Sequence, residues 1–386
     1  MKKRKIVSML LAGALLGTMV LGGCGNEKDT NTSAKGEKSA EKKDSKDSYL
    51  FVTNNFGAGA YPLDMMVQNE QAACNATGME LNITDNEFTV DKVITQLQSQ
   101  LAMQPDGVAF LGISETLFPT AAKICEDANT PYVFYACSPT DEDMKKISEN
   151  PNYCGMVIYS PTEEGERMAQ MALDDGCKTA VISAGAAGDY AHDRRIDGFT
   201  ETFEAGGGTV HAVAHSADPS EGVTKTSDLV TAYPDVDCIY GAGEDYITAA
   251  ATVLDSASVK DCKIYGSNAS PDVCTLIKEG KVEAVTGGEG VCGALALPLL
   301  INYLDGHPIL DKDGNPPYFG EKSQYVITKE TADQFYGFLK DHGTETITAE
   351  EYQNLLYRNN PDVDYDYYDE FLKNYETSVY EKVGVK

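Results

Sequence analysis

The chain has 386 residues, with 60 acidic against 31 basic side chains, a formal net charge of −29 and no tryptophan. Residues 1–48 hold ten basic and six acidic residues, so the remaining 338, with 21 basic and 54 acidic, carry −33. That charge argues against nucleic acid and anionic lipid as partners of the body, and 338 residues exceed one typical core and suggest two domains.

Lys2-Lys3-Arg4-Lys5, the apolar run Ile6–Leu21 and the closing Leu21-Gly22-Gly23-Cys24 read as a secretory signal over 1–24. The run has about 16 residues, fewer than the ~20 that span a hydrocarbon core. With small residues before it, Cys24 stands where bacterial lipoproteins carry their modified cysteine. That resemblance implies a mature chain that begins at a lipidated Cys24 and is anchored to the outer face of the cell membrane. Residues 25–48 contain no large apolar side chain after Cys24 and predict a disordered linker, with a reach of about 25 Å.

From Tyr49 onward, short apolar strands alternate with amphipathic helices. Tyr49–Phe56 predicts a strand, Leu63–Ala76 a helix and Met79–Thr84 a strand. Val90, Val93, Ile94, Leu97 and Leu101 recur at helical spacing. A strand at Asp106–Leu111, a helix at Glu115–Ala128 and a strand at Pro131–Tyr135 complete the first half. The second half predicts strands at Tyr153–Tyr159, Thr179–Ser183, Thr209–Ala214, Cys238–Gly241, Lys263–Gly266 and Glu283–Thr286. Helices start near Pro161, Tyr190, Pro219, Glu244, Pro271 and Gly290. Proline and acids follow one another at Pro161-Thr162-Glu163-Glu164, where a helix start accepts both. The fold class is α/β, with two doubly wound parallel-sheet lobes and a ligand cleft between the carboxyl ends of their strands. The acidic, aromatic stretch Asp362–Phe371 predicts a solvated terminal helix anchored by its aromatics.

Motifs for nucleotide, zinc-protease and serine-hydrolase chemistry (GxxxxGK, HExxH, GxSxG) are missing, and the five histidines form no metal-ligand pattern. No cofactor or metal is expected. Apart from Cys24 there are nine cysteines, without CxxC spacing, mostly inside apolar runs, where they read as small core residues. Gly185-Ala186-Ala187-Gly188 reads as a tight strand-to-helix turn before a phosphate cradle, and Asp311–Asn315 as an acidic turn before a calcium loop.

Six segments in order resemble the ribose- and galactose-binding type of periplasmic binding protein. These are Val93–Asp106 with Gly107-Val108-Ala109-Phe110, Ala128–Val133, Arg195-Ile196-Asp197-Gly198-Phe199, Asp237–Ala242, Ile264–Asn268 and Lys278–Val282. The resemblance covers about Tyr49 to Thr328. It implies two lobes joined by three crossings, near Pro151–Tyr159, Thr286–Gly293 and Phe319–Thr328. The first lobe would be 49–155 plus 287–322 and the second 156–286 plus 323–386. It also implies a monomer that closes on a small polar ligand, a sugar or sugar derivative, and delivers it to an ABC transporter permease.

Strand ends supply the candidate ligand-binding residues. Asn54, Asn55, Phe56 and Tyr61 follow the first strand, and Ser114 and Ser138 stand at later strand ends. Across the cleft the resemblance implies Arg195 of the R-x-x-G-F motif, Asn268 and, at the second crossing, Glu289 as ligand contacts, with Tyr190 and Glu244 at the helix starts beside them. Ala136-Cys137-Ser138 replaces the Asp-Arg of many sugar binders, and Gly243-Glu244 replaces their Asn-Asp, which leaves a nucleoside or other non-sugar open. A receptor subunit presenting ligand to a chemotaxis or kinase partner is the alternative role. An enzyme built on Glu244, Asp245 and Glu289 is the least favoured, because no nucleophile, base and oxyanion site assembles.

Overall fold

A computed structural model describes residues 46–259, 261–322 and 324–385. The predicted signal, Cys24 and the linker up to 45 lie outside the described residues.

The first half builds β1 (Leu50–Asn55), α1 (Tyr61–Thr77), β2 (Glu80–Asp85), α2 (Val90–Leu101) and β3 (Gly107–Leu111). A 3₁₀ turn at Glu115–Leu117 precedes α3 (Phe118–Asp127), so the helix expected over Glu115–Ala128 is split where Pro119 sets its first turn. Then come β4 (Tyr132–Ala136), α4 (Asp141–Ile147) and β5 (Tyr153–Tyr159). The second half gives α5 (Pro161–Asp174), β6 (Thr179–Ala184), α6 (Tyr190–Ala205), β7 (Thr209–His215) and α7 (Gly222–Ala232). It continues through β8 (Cys238–Gly241), α8 (Glu244–Ala257), β9 (Lys263–Ser267), α9 (Pro271–Lys278), β10 (Ala284–Gly287) and α10 (Cys292–Leu304). Last are β11 (Tyr318–Lys322), β12 (Tyr325–Thr328), α11 (Ala332–Leu339), α12 (Ala349–Asn354), α13 (Tyr365–Lys373) and α14 (Tyr375–Val383).

Two six-stranded sheets result, ordered β11-β5-β4-β3-β1-β2 and β12-β10-β9-β8-β6-β7. Strands β3, β4 and β5 are buried at every residue, the mark of parallel strands covered on both faces, whereas the edge strands β2 and β7 keep exposed positions. One strand departs from the parallel expectation. The chain leaves the first sheet at the carboxyl end of β11 and enters the second from the cleft side, so β12 runs antiparallel to β10, with Gly287 opposite Tyr325.

Helices α5 and α6 pack closely because two glycines admit each other's backbone. A Cβ at Gly165 would lie 2.2 Å from the Arg195 carbonyl oxygen, and one at Gly198 would lie 2.2 Å from that of Thr162. Phe199, next in the R-x-x-G-F motif, stacks on Tyr240 with centroids 4.5 Å apart. The motif's glycine thus serves packing, and its arginine is carried underneath, toward the cleft.

Helix α10 is apolar around its whole circumference and buried from Cys292 to Asn302, which requires cover on two sides. Strands β3, β4 and β5 supply one side. Helix α1 and the C-terminal segment supply the other: α1 packs along α10, Asn302 Nδ2 donates to the Leu355 carbonyl at 2.9 Å, and Tyr368 OH donates to that of Leu295. Residues 323–386 therefore do not belong to the second lobe alone. Helix α11 packs on α9, α12 on α1, α13 on β11, and α14 on β12 and α11. Beyond the three expected crossings, the chain passes from one sheet's side to the other twice more, between α11 and α12 and between α13 and α14.

Among the described residues no disulfide joins the nine cysteines, and eight of them are buried. Among the described residues no helix is long and apolar enough to cross a membrane, and no group of three or more His, Cys, Asp or Glu could hold a metal ion.

Candidate functional site

Two buried polar clusters lie behind the cleft, one per lobe. In the first lobe the β1 side chain Thr53 and the β4 side chain Tyr135 converge on Glu70 of α1. Thr53 Oγ1 donates to Glu70 at 3.0 Å and Tyr135 OH at 3.3 Å. Burial pushes the Glu70 carboxyl up to about 8, although both hydrogen bonds pull it down. Glu70 is therefore largely protonated at neutral pH. The cluster is closed on itself.

In the second lobe, Arg195 of α6 is 2 % exposed and meets Glu164 of α5 at 2.6 Å. Its Nη1 donates to the Ala242 carbonyl and to Asn268 Oδ1, each at 3.0 Å. Asn268 Nδ2 donates in turn to Glu289 Oε1 at 2.7 Å. Burial opposes the guanidinium charge, but Glu164 and neighbouring hydroxyls and carboxyls outweigh it and keep Arg195 ionised. Asn268, the residue directly after β9, has φ 71°, a left-handed conformation that asparagine tolerates better than most residues, and this turns its amide into the chain of bonds.

This second cluster is open. Arg195 Nη2, Glu289 Oε2 and His192 Nδ1 are buried without a hydrogen-bond partner. A buried polar atom left so costs roughly 1–3 kcal/mol, so three together mark a place where a polar group from elsewhere is expected. Gly243 locates it. A Cβ there would lie 3.1 Å from His192 Cε1 and 3.6 Å from Asn268 Oδ1, so the imidazole, the amide and the glycine surround one point. Burial lowers His192 to about 4, leaving the ring neutral at physiological pH. Tyr159 lies under Arg195, 6.0 Å from ring centroid to guanidinium carbon.

The other sequence candidates divide into three groups. The amides of Asn54 and Asn55 are engaged within the protein. Asn54 bonds both ways with the Leu111 backbone and donates to Asn86 Oδ1, whereas Asn55 bonds Asp64 Oδ1 and the Gly57 amide. Tyr61 OH donates to the Leu339 carbonyl and its ring stacks on His342 at 5.1 Å, so the C-terminal segment holds it. Burial raises the Tyr61 hydroxyl well above the usual range, and the nearby Glu289, Glu244 and Asp341 add to this. Phe56 pairs edge-on with Phe88, which is 57 % exposed at φ 54°.

Glu244 opens α8, half-buried beside Ser270, and burial lifts its carboxyl to about 7. Ser138 and Tyr190 line a cavity of about 580 Å³ between the lobes, with Glu115, Tyr159, Arg194 and Tyr318. Ser114 stays nearby, bonded to Thr116 at 3.0 Å. The Gly185–Gly188 turn is a tight strand-to-helix turn whose Gly188 amide bonds Asp193, and Asp311 binds the amides of Asp313 and Asn315 in an acidic turn.

Sequence reasoning missed Glu70, Glu164, His192 and the Glu115–Arg194 pair. For His192 a signal existed, because it sits one turn before Arg195 on the same predicted helix. Glu70 and Glu164 gave none, being single acids on helices with many.

A two-lobed α/β fold with an incompletely bonded polar cluster at its strand ends is suited to holding a polar group between the lobes. Residues 48–308 match the periplasmic binding protein domain, and the chain belongs to that family. It is 24% identical over 218 residues to the ribose import binding protein RbsB of Salmonella typhimurium, covering 55% of this chain and 70% of that one. The ribose import binding protein RbsB of Escherichia coli matches at the same identity and coverage. Among solved structures, a periplasmic sugar-binding protein from Pseudomonas fluorescens superposes with a TM-score of 0.72 at 16% identity, covering 83% of this chain and 98% of that one. A galactofuranose-binding protein superposes at 0.66 and 16%, covering 76% and 99%. These two show a shared fold.

Proposed function

We propose that this chain is an extracytoplasmic solute-binding lipoprotein that takes a neutral sugar or sugar derivative between its lobes and delivers it to an ABC import permease. The observation that carries the reading is the open cluster of Arg195, Asn268, Glu289 and His192. A vicinal diol can accept from Arg195 Nη2 and donate to Glu289 Oε2, completing both at once. Carboxyl groups outnumber the guanidinium two to one at that cluster, since Glu164 and Glu289 flank Arg195, so a uronate or sugar phosphate would be repelled. Relatives bear on the same class: the named ribose import proteins, and similarly folded proteins described with L-arabinofuranose and with D-allose. The export signal and Cys24 support attachment outside the membrane.

The test is a melting-shift screen of the purified body with pentoses, hexoses, their furanose-forming isomers, nucleosides and sugar acids. A neutral sugar should raise the midpoint by several degrees through linkage, and acids should not. No shift with any neutral sugar at millimolar concentration would overturn the sugar assignment. For the anchor, Cys24→Ser should move the protein from the membrane fraction to the medium.

A further inference from the structure

The C-terminal segment after Thr328 lies beyond residues 48–308 that match the family, and it fastens one flank of the cleft. From the second lobe, Lys278 of α9 pairs with Asp333 of α11 at 2.6 Å. The chain then turns over the cleft, where Leu339 and His342 hold Tyr61, and Asn69 Nδ2 of α1 donates to the His342 carbonyl at 2.9 Å. On the first lobe, Gln353 Nε2 donates to the Ala76 carbonyl at 2.5 Å, and Arg358 pairs with Asp305 at 2.5 Å. On its return, Arg167 of α5 pairs with Glu376 at 2.6 Å, and Tyr380 bonds both ways with the Val326 backbone. Lys382 of α14 binds Glu351 of α12 at 2.7 Å and the Thr346 carbonyl, locking the two added crossings to each other. Buried Phe335, Tyr352, Tyr368 and Val379 back these bonds.

The opposite flank is different. There the lobes meet at the Glu115–Arg194 ion pair, 3.1 Å long with both side chains more than a third exposed, beside the 580 Å³ cavity. An exposed pair of this kind is weak and screened by salt. Arg194 also lies 3.8 Å from the Tyr190 ring, which gives it a second resting place when the pair breaks. The cavity adjoins the open cluster through Tyr159, which lines it and underlies Arg195; residues 158–162, with Tyr318 and Gly320, belong to two of the crossings and form its fixed wall, and Glu115 and Arg194 form its breakable one.

We infer that the C-terminal segment is a strap that keeps the α1–α9 flank shut, so that the lobes part on the other flank, on the side of the cavity away from the crossings, and ligand enters and leaves past the Glu115–Arg194 pair. The entrance role rests on the solute-binding reading of the cleft; the strap does not, and the two separate experimentally. Nitroxide labels on exposed positions report each flank in ligand-free protein, Asp141→Cys with Asp197→Cys for the gate and Gln68→Cys with Thr275→Cys for the strap. The gate pair should give a broad distribution shifted to longer distance, and the strap pair a single narrow one. Adding Arg167→Ala and Asn69→Ala should broaden the strap pair. Equal broadening of both pairs, a broader strap pair, or two narrow distributions would each overturn the inference. Should the loosened variant fail to fold, the comparison of the two pairs in the otherwise unaltered protein still decides. Because no sugar is added, a failed sugar screen leaves this result standing. With a sugar from that screen, Arg194→Ala should speed its dissociation, and an unchanged rate would overturn the gate.

Discussion

The two buried clusters differ in one respect that separates structure from binding. Around Glu70, Thr53 and Tyr135 both give their hydrogen bonds to the carboxyl, which holds a proton of its own at neutral pH. Around Arg195 a charged network of similar burial ends in a free Nη2, a free Glu289 Oε2 and a free His192 Nδ1. Equal burial with unequal completion teaches that depth does not mark the ligand site; unfinished hydrogen bonding does.

The comparison breaks most sharply at Arg195. Arg195→Ala takes the cation of this pair away from the buried Glu164, so chemical denaturation should show a loss of roughly 3–5 kcal/mol, and retention of full stability would mean that the pair is not buried as described. Next in size is the pH response of Glu70. Its unfolded value is near 4.5 and its folded value about 8, so the folded state holds a proton that the unfolded chain releases. Stability from this group is complete below pH 4.5 and declines until about pH 8, by an amount on the order of a few kcal/mol. Glu70→Gln should flatten that decline in a melting series, and an unaltered slope would assign it elsewhere. A smaller effect is expected from the gate: Glu115→Ala should cost about 0–1 kcal/mol of stability, measured by denaturation.

Much of the fold was legible because strand and helix periods alternate without ambiguity from Tyr49 to Thr286, and Pro161 and Pro271 fix helix starts to the residue. The family resemblance also singled out Arg195, Asn268 and Glu289, which the structure joins by direct hydrogen bonds. It could not separate them from Asn54 and Asn55, since an amide that ties β1 to its own loop has the same composition as one held out to a ligand. The strap was illegible for a different reason. Its helices are short and acidic, as in Asp362–Phe371, and the decisive apolar contact is a single side chain, Tyr368, whose burial depends on an all-apolar α10 far earlier in the chain.

Calorimetric titration of one neutral sugar from the screen into two conservative variants tests the central claim most directly. Glu289→Gln should weaken binding by roughly 10- to 100-fold, as the loss of a charged hydrogen-bond acceptor implies, while Glu70→Gln should bind as the unaltered protein does. Equal loss in both, or none in Glu289→Gln, would contradict the assignment of the open cluster as the place where ligand is held.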